Sequence, residues 1–208
     1  MNEHSFIFVP EMRTRDENKE SLIREKAFEM VVQEGFDGLS MQKLAKAANV
    51  SPATIYIYYK SREDLLNRIF NDSQKAFARK AMSNFDPNMK LEEGLWIQWK
   101  NRMEFVMEFP NYFRFFEQFR NSPLINHKDI DMSEFRENMK SFVKNAIRRG
   151  ELSKMEPEVF WSLAYGSLYS LIKFHLQEKK MMNENFKMTD AMVKQAFKMV
   201  IKSLKPDQ

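Results

Sequence analysis

The chain has 208 residues, no cysteine and a formal net charge of +4. This length allows a sizeable core in one large or two modest domains. The lack of cysteine excludes disulfides, thiolate metal sites and redox sensing through thiols. Few glycines and prolines, five and seven, and long stretches of Leu, Met, Phe, Ala, Lys and Glu predict an all-α protein.

The N-terminal segment carries little structural signal. Four apolar residues at 6–9 precede Pro10, too few for the core of a signal peptide or for a membrane span. We therefore expect a cytoplasmic protein that does not enter membranes. The densely charged residues 11–19 are expected to be flexible, and residues 1–17 are interpreted as a lead that precedes the folded chain.

The first predicted helix has one apolar face, formed by residues at helical spacing: Leu22, Ile23, Ala27, Phe28, Val31 and Val32. This period indicates a helix that buries that face against its neighbours. Gly35 is expected to end the helix in a left-handed backbone conformation.

Residues 40–62 predict two short helices joined by a tight turn, with four cations and no carboxylate. Ser40 and Ser51 are good N-caps, and Pro52 suits the first turn of the second helix, where its missing amide hydrogen has no helical partner. Asn49 falls in the turn, where a positive φ is often required and asparagine tolerates it. The pattern indicates a DNA-binding element, although a solvated basic surface has the same pattern.

The second of these helices predicts two faces. Ile55 and Tyr59 share one face, which we expect to be packed, and Thr54 and Tyr58 share another. The outward residues are small, hydroxylated or aromatic, with cations at the helix end: Ser51, Ala53, Thr54, Tyr58, Lys60 and Arg62. Such a surface suits close approach to a DNA groove and its flanking phosphates.

The same segment resembles the N-terminal domain of the TetR family of bacterial repressors over residues 18–70. The resemblance is carried by Gly35-Phe36, by the run from Ser40 to Ser51, and by Thr54-Ile55-Tyr56-x-Tyr58-Tyr59-x-x-Arg62-Glu63-Asp64-Leu65. The spacing holds without a gap. Three positions depart from the family pattern, with Asn49 for glycine, Tyr58-Tyr59 for His-Phe or Tyr-Phe, and Arg62 for lysine.

The resemblance implies roles for individual residues. Tyr56 and Arg62 would contact phosphate, Ala53, Thr54 and Tyr58 would face the major groove, and Ser40 and Gln42 would touch the adjacent DNA backbone. Ser51, Pro52 and Lys60 complete the candidate DNA-binding set. For Tyr56 and Tyr58 the alternative is that one of them packs on the first helix instead of contacting DNA.

A longer helix is predicted at residues 62–85, with Ser61 as its N-cap and Asp86-Pro87 after its end. It would link a helix-turn-helix DNA-binding domain at residues 18–66 to a larger helical effector-binding and dimerisation domain at residues 67–208. Further helices are predicted in that second domain at 91–109, 110–121, 133–149, 157–179 and 189–204.

The middle helices carry many aromatic and methionine side chains. At helical spacing such residues more often form core, but the family resemblance implies a ligand cavity here, and bulky side chains suit a small hydrophobic or aromatic effector. The candidate pocket residues are Trp96, Trp99, Met103, Phe105, Met107, Tyr112, Phe116, Phe119, Tyr165 and Tyr169. No cationic cluster indicates an anionic ligand, because the polar candidates are expected at the surface or in structural roles: Arg102, Arg114, Arg120 and His175.

The last two helices each predict a broad apolar face. Its residues are Phe160, Leu163, Ala164, Ser167, Leu168, Leu171 and Ile172, and then Met192, Val193, Ala196, Phe197, Val200 and Ile201. In the resembling family such a helix pair from each subunit forms a four-helix interface, which implies a homodimer. The alternative is a core within one chain. Dimerisation also follows from DNA reading, since twofold operators need two recognition helices about 34 to 36 Å apart.

The sequence thus predicts a homodimeric transcriptional regulator that represses from a palindromic double-stranded DNA operator and is released by a small hydrophobic effector. Activation instead of repression stays open. So does a helical small-molecule or lipid-binding protein without sequence-specific DNA binding.

An all-helical enzyme is the third reading. Di-iron sites in helical bundles need Glu-x-x-His pairs, and none of His4, His127 and His175 has such a glutamate. Neither a phosphate-binding glycine loop nor a nucleophile motif is present, so no cofactor and no catalytic residue is predicted. His127, Asp129 and Asp131 could form a small metal site, but a polar loop is the ordinary explanation, and no metal is predicted.

Overall fold

The computed structural model describes residues 16–119, 132–176 and 186–206. Within these ranges the regular structure is helical and no strand is present, which confirms the all-α prediction. The helices are α1 (Glu17–Gly38), α2 (Met41–Ala47), α3 (Pro52–Tyr58), α4 (Arg62–Ala81), α5 (Leu91–Glu108), α6 (Pro110–Phe119), α7 (Ser133–Arg148), α8 (Pro157–Leu176) and α9 (Asp190–Leu204).

The described helices begin and end close to where the sequence predicts them, with differences at the start of α1 and the end of α4. α1 begins at Glu17, because the Asp16 carboxylate accepts hydrogen bonds from the amides of Asn18 and Lys19 and so caps the helix. The prediction that residues 16–19 form a flexible lead is therefore wrong. α4 ends at Ala81 and not at residue 85, since the chain then turns through Asn84, whose φ is 57°.

The chain separates into two compact units, divided between Ile69 and Phe70 within α4. In the N-terminal unit, α1 packs against α2 and α3 through Ile23, Ala27 and Val31, which are fully buried at helical spacing. Gly35 has a φ of 74° and non-helical backbone angles, so the regular helix stops there, as the sequence predicts, and α1 resumes after a kink up to Gly38. The last turn of α1 is thereby redirected toward the start of α2.

In the C-terminal unit, α5 packs against α6, α7 and α8, and α8 packs against α9. Trp99 of α5 is fully buried, and its indole N–H donates a hydrogen bond of 2.8 Å to the carbonyl oxygen of Ala164 on α8. The first amide of α5, that of Leu91, donates to the Glu151 carboxylate at 2.8 Å. A residue far along the chain thus satisfies a donor that the helix itself leaves unpaired.

Over the part of the chain that the structure describes, every helix is too short or too polar to cross a membrane.

Candidate functional site

The α2–turn–α3 segment is held by the two serines and the asparagine that the sequence singles out. The Ser40 Oγ accepts a hydrogen bond of 3.2 Å from the Lys43 amide, and the Ser51 Oγ accepts one of 3.1 Å from the Thr54 amide. Asn49 has a φ of 51°. The predictions of both N-caps and of a left-handed turn residue are confirmed, and α3 begins at a defined place.

One face of α3 is buried and the opposite face is exposed. Ile55 and Tyr58, on α3, and Tyr59, which follows it, are buried, at the i, i+3, i+4 spacing of a single helical face. The side chains left outside are those of Ala53, Tyr56, Ile57 and Lys60, and this set is the outward face of α3.

Tyr58 does not lie on that outward face, so the prediction that it faces the major groove is wrong. Its side chain is only 6% exposed. The hydroxyl group donates to the carbonyl oxygen of Asp16 at 3.2 Å and accepts from the amide of Asp16 at 3.0 Å. The alternative that one of the two tyrosines packs on the first helix therefore describes Tyr58, whereas Tyr56 is 54% exposed.

Arg62 is engaged within the protein. Its Nε donates a hydrogen bond of 2.9 Å to the carbonyl oxygen of Leu39, and its Nη2 donates to that of Phe36. Both carbonyls belong to the corner between α1 and α2. In this position the guanidinium joins that corner to the start of α4, and the contact of Arg62 with phosphate stays a prediction.

The other predicted DNA-binding residues remain at the surface. Thr54 is half-buried, with its Oγ1 2.8 Å from the Ser51 Oγ, and the following are exposed: Ser40, Gln42, Ser51, Pro52, Ala53, Tyr56 and Lys60. Ile57 was missed by sequence reasoning although it is 48% exposed. The signal was available, because the predicted packing of Ile55 and Tyr59 on one face leaves Ile57 away from that face.

Asp64, one of two adjacent carboxylates that follow the outward face in sequence, is paired with its neighbours. Asp64 Oδ2 accepts a hydrogen bond of 2.8 Å from the Lys60 amide, and Oδ1 accepts one of 3.0 Å from Arg68 Nε. Burial alone would raise the pKa of Asp64, but the hydrogen bonds from Lys60 and Arg68 outweigh it and lower that pKa below its ordinary value of 3.8. The acid thus stays ionised inside a paired arrangement.

A cleft of about 870 Å³ lies in the C-terminal unit. Its wall is mixed, with aromatic side chains and a few polar or charged ones: Phe70, Gln74, Phe77, Phe105, Val106, Phe113, Phe116, Glu117, Met132, Arg136, Trp161, Ser162, Gly166, Tyr169, Ser170 and Lys173. Lys173 pairs with Glu117 at 3.1 Å. The volume is in the range of small-molecule sites, which is about 300 to 1,000 Å³.

Of the ten residues predicted to line a pocket, Phe105, Phe116 and Tyr169 line this cleft. Trp96 and Trp99 instead pack on Phe197, with ring centroids 4.9 and 5.2 Å away. The remaining five are not among the lining residues: Met103, Met107, Tyr112, Phe119 and Tyr165.

Each of these five is placed elsewhere by its neighbours. Phe119 stacks on Phe70 at 4.9 Å, Met107 is 37% exposed, and Met103 and Tyr112 pack against the core. Tyr165 is fully buried and donates a hydrogen bond of 2.7 Å to Gln98 Oε1. The tryptophan on the cleft wall is Trp161, which sequence reasoning had placed with the last helices and not with the pocket.

The predicted dimer faces of α8 and α9 are largely internal to one chain. Residues of that set are fully or almost fully buried: Phe160, Ala164, Leu168, Ile172, Val193, Phe197, Val200 and Ile201. For these eight residues the alternative of an intrachain core holds, whereas Leu163 and Met192 of the same predicted faces are each 39% exposed. Leu163 lies in an apolar row on α8 that is exposed, with Val159, Leu163 and Phe174 at 48%, 39% and 46%.

Two earlier expectations fall on residues outside the described ranges. These are the loop candidates His127, Asp129 and Asp131 and the polar candidate Arg120. In the described ranges, His, Asp and Glu side chains form no cluster of three or more that could hold a metal ion.

The sequence and structure of the chain are similar to those of known bacterial regulators. Residues 23–69 match the model of bacterial regulatory proteins of the tetR family. An uncharacterised helix-turn-helix transcriptional regulator of Haemophilus influenzae is 29% identical over 142 residues, or 68% of this chain and 75% of that protein. A fatty acid metabolism regulator protein of Bacillus subtilis is 29% identical over 73 residues, or 35% of this chain and 38% of that one.

The similarity to solved structures extends over nearly the whole chain. The crystal structure of a TetR family transcription regulator from Marinobacter aquaeolei superimposes with a TM-score of 0.71 at 28% identity, covering 94% of this chain and 100% of that one. The matched segment, residues 23–69, contains the capped helix pair and the outward face of α3. The N-terminal unit therefore matches the tetR family of bacterial regulatory proteins, and the chain as a whole is similar to a solved TetR family transcription regulator.

Proposed function

We propose that this transcriptional regulator, which is not an enzyme, acts in the cytoplasm as a homodimeric repressor. It binds a palindromic operator through α3 and leaves it when a small hydrophobic effector occupies the cleft. Three features support the proposal: the outward face of α3, an exposed apolar row on α8, and the aromatic cleft.

The main support for sequence-specific DNA binding is the outward face of α3. Ala53, Tyr56 and Ile57 are exposed on a helix whose opposite side is buried, so they are free to enter a major groove. Apolar side chains such as Ile57 suit contact with the methyl group of thymine, and a tyrosine hydroxyl suits a phosphate oxygen. Residues 38–62 contain no acid, so no carboxylate in this segment opposes the approach of DNA.

Dimerisation through α8 and α9 is supported by apolar side chains that one chain leaves uncovered. Val159, Leu163 and Phe174 on α8 are exposed and lie along a single row together with Gly166 and Ser170. On α9, Met199 is 67% exposed. A row of this kind on two packed helices is typical of a surface that meets another subunit.

Gly166 adds a second argument for the α8 row. Glycine in the middle of a helix lowers helix stability by about 1 kcal/mol relative to alanine. Among the described residues, an added Cβ at Gly166 would meet no atom within 4 Å, and Gly166 also lies at the edge of the cleft. A small residue in an exposed row lets the backbone of another helix approach closely, which is what a partner subunit's α8 would need.

The aromatic cleft supports a ligand-sensing role. Rings from α4, α5, α6 and α8 line it, among them Phe77, Phe105, Phe116 and Trp161, and aromatic walls favour hydrophobic effectors. One relative is a regulator of fatty acid metabolism, which agrees with an effector that carries a long apolar part. By linkage, an effector that weakens operator binding must itself be bound more weakly by the operator complex.

The decisive experiment is selection of bound DNA from a random pool with the full-length protein. The proposal expects an enriched motif with two inverted half-sites about one helical turn or a multiple of it apart, and affinity that falls steeply with salt. Failure to enrich any motif, together with ligand binding in the cleft, would indicate a small-molecule-binding protein without sequence-specific DNA binding.

A further inference from the structure

Arg102 of α5 is fully buried without a counter-ion in the described residues. Its Nη2 donates to Gln98 Oε1 at 3.2 Å, while Nε and Nη1 have no hydrogen-bond partner in the part of the chain that the structure describes. Arginine is charged at all physiological pH values and carries five N–H donors. An unpaired buried charge is strongly unfavourable, so this guanidinium needs an explanation.

Aromatic rings surround the guanidinium carbon at distances of 4.5 to 5.9 Å: those of Phe77, Phe135, Trp161 and Tyr165. Their faces stabilise a cation, but each such contact contributes only about 0.5 to 2 kcal/mol. They also satisfy none of the remaining N–H donors. The rings therefore compensate the burial of Arg102 in part.

Tyr165 cannot serve as the missing anion. Burial raises the pKa of its phenol to about 12, although the nearby charge of Arg102 acts in the opposite direction. The hydroxyl stays neutral at physiological pH and already donates to Gln98 Oε1. Both donors of this cluster thus converge on one amide oxygen, and no described acidic side chain pairs with the guanidinium.

The cluster lies directly behind the wall of the cleft. Phe77 and Trp161 line the cleft, and the Arg102 guanidinium carbon is 5.5 and 5.6 Å from the centres of their rings. Trp161 is 39% exposed, so a rotation of its side chain is not blocked by complete burial. An anionic group that enters between these two rings would reach the unpaired Nε and Nη1.

We propose that Arg102 binds the carboxylate of an amphipathic effector whose apolar part occupies the cleft. This inference rests on the effector role proposed above and specifies the chemistry of the ligand: one compact anionic head and an apolar tail. The head would receive the two free N–H groups, in a site where little water competes.

The test compares decanoate with 1-decanol, which share a ten-carbon chain and differ in the head group. Binding to the full-length protein is followed by tryptophan emission, with Trp161→Phe identifying the signal from the cleft. Wild type should bind decanoate at least about tenfold more tightly, because hydrogen bonds to charged groups are stronger than neutral ones. Arg102→Met should weaken decanoate about tenfold to a hundredfold and leave 1-decanol unchanged.

The melting temperature of the ligand-free protein distinguishes a ligand-binding role of Arg102 from a structural role. Arg102→Met should raise the melting temperature, because it removes a buried unpaired charge. Arg102→Lys keeps the charge and should keep the preference for decanoate. Arg114→Met is the matched control, since Arg114 is exposed on α6 and is not among the residues that line the cleft, and it should change neither affinity.

Four results would overturn the inference. Equal affinity of wild type for the two probes, or loss of the preference in Arg114→Met instead of Arg102→Met, would leave the effector cleft intact but remove Arg102 from ligand binding. A lower melting temperature of Arg102→Met with equal weakening of both probes would assign a structural role to Arg102. If neither probe binds or changes operator affinity, the effector role of the cleft fails as well, while operator selection still tests DNA binding.

Discussion

The hydroxyl group of Tyr58 bonds to both the amide and the carbonyl of Asp16, at 3.0 and 3.2 Å. Asp16 is the N-cap of α1 and Tyr58 is the last residue of α3. A single side chain therefore joins the first turn of the N-terminal unit to the candidate recognition helix.

Replacing Tyr58 by phenylalanine should lower the free energy of unfolding by about 1 to 2 kcal/mol, since two hydrogen bonds are lost. Tyr56→Phe is the matched control. Tyr56 is 54% exposed, so its variant should keep the stability of wild type and weaken operator binding through a lost phosphate contact. Urea unfolding and operator titration measure the two effects, and an unchanged stability of Tyr58→Phe would contradict the assigned contact.

Ile57→Ala should weaken binding to the selected operator by about 1 to 3 kcal/mol, with little change in stability, because Ile57 is 48% exposed. Ile55→Ala removes the same atoms from a fully buried position two residues away. It should lower the free energy of unfolding by about 2 to 5 kcal/mol. If Ile57→Ala binds the operator as wild type does, the outward face of α3 has been assigned incorrectly.

Arg62→Ala should mainly destabilise the protein, by about 1.5 to 3 kcal/mol, because hydrogen bonds from a charged donor to two carbonyls are lost. Lys60→Ala is the comparison, since Lys60 is exposed at the end of α3. It should keep its stability, bind all DNA sequences more weakly and reduce the salt slope by about one. If Arg62→Ala instead keeps its stability and reduces the salt slope, while Lys60→Ala does neither, Arg62 is the phosphate ligand.

Leu163→Glu should yield a folded monomer that no longer binds the operator, because Leu163 is 39% exposed in the row proposed to meet the partner subunit. Leu168→Glu places the same charge at a fully buried position of the same helix and should prevent folding. Sedimentation gives the oligomeric state and circular dichroism the helix content. A dimeric Leu163→Glu variant would move the interface elsewhere.

Asp64 should make stability depend on pH in the acid range. Its pKa in the folded protein lies below the ordinary value of 3.8, so its contribution is present above the unfolded-state pKa and is lost as pH falls through the folded-state value. The difference in unfolding free energy between wild type and Asp64→Asn should be constant from neutral pH to about pH 5 and then shrink. A difference that persists below the folded-state pKa would show that the charge is not responsible.

Local sequence signals predicted much of the N-terminal unit. The caps at Ser40 and Ser51 and the left-handed Asn49 depend on backbone rules that act within a few residues. Ile55 and Tyr59 were predicted to be buried from their spacing alone. Tyr58 could not be placed in this way, because its burial depends on where the start of α1 passes, 42 residues earlier in the chain.

The cleft was harder to predict for the same reason. Trp96 and Trp99 are bulky aromatic residues on one helix face, which made them candidates for the pocket. They pack instead on Phe197, which belongs to α9. Trp161 lines the cleft because of how α8 lies against the middle helices. Arg102 did carry a signal, since it occupies the apolar stripe of α5 between Trp99 and Phe105, a position where an arginine is rarely solvated.

The buried guanidinium of Arg102 also bears on how long the protein survives in a cell. A chain that encloses an uncompensated charge opens more often, and proteases degrade proteins largely from such open states. A bound carboxylate would lower the open population and slow degradation. We therefore expect the half-life of this regulator to lengthen when its ligand is abundant, so that the same molecule would set both the occupancy of the operator and the number of copies available to bind it.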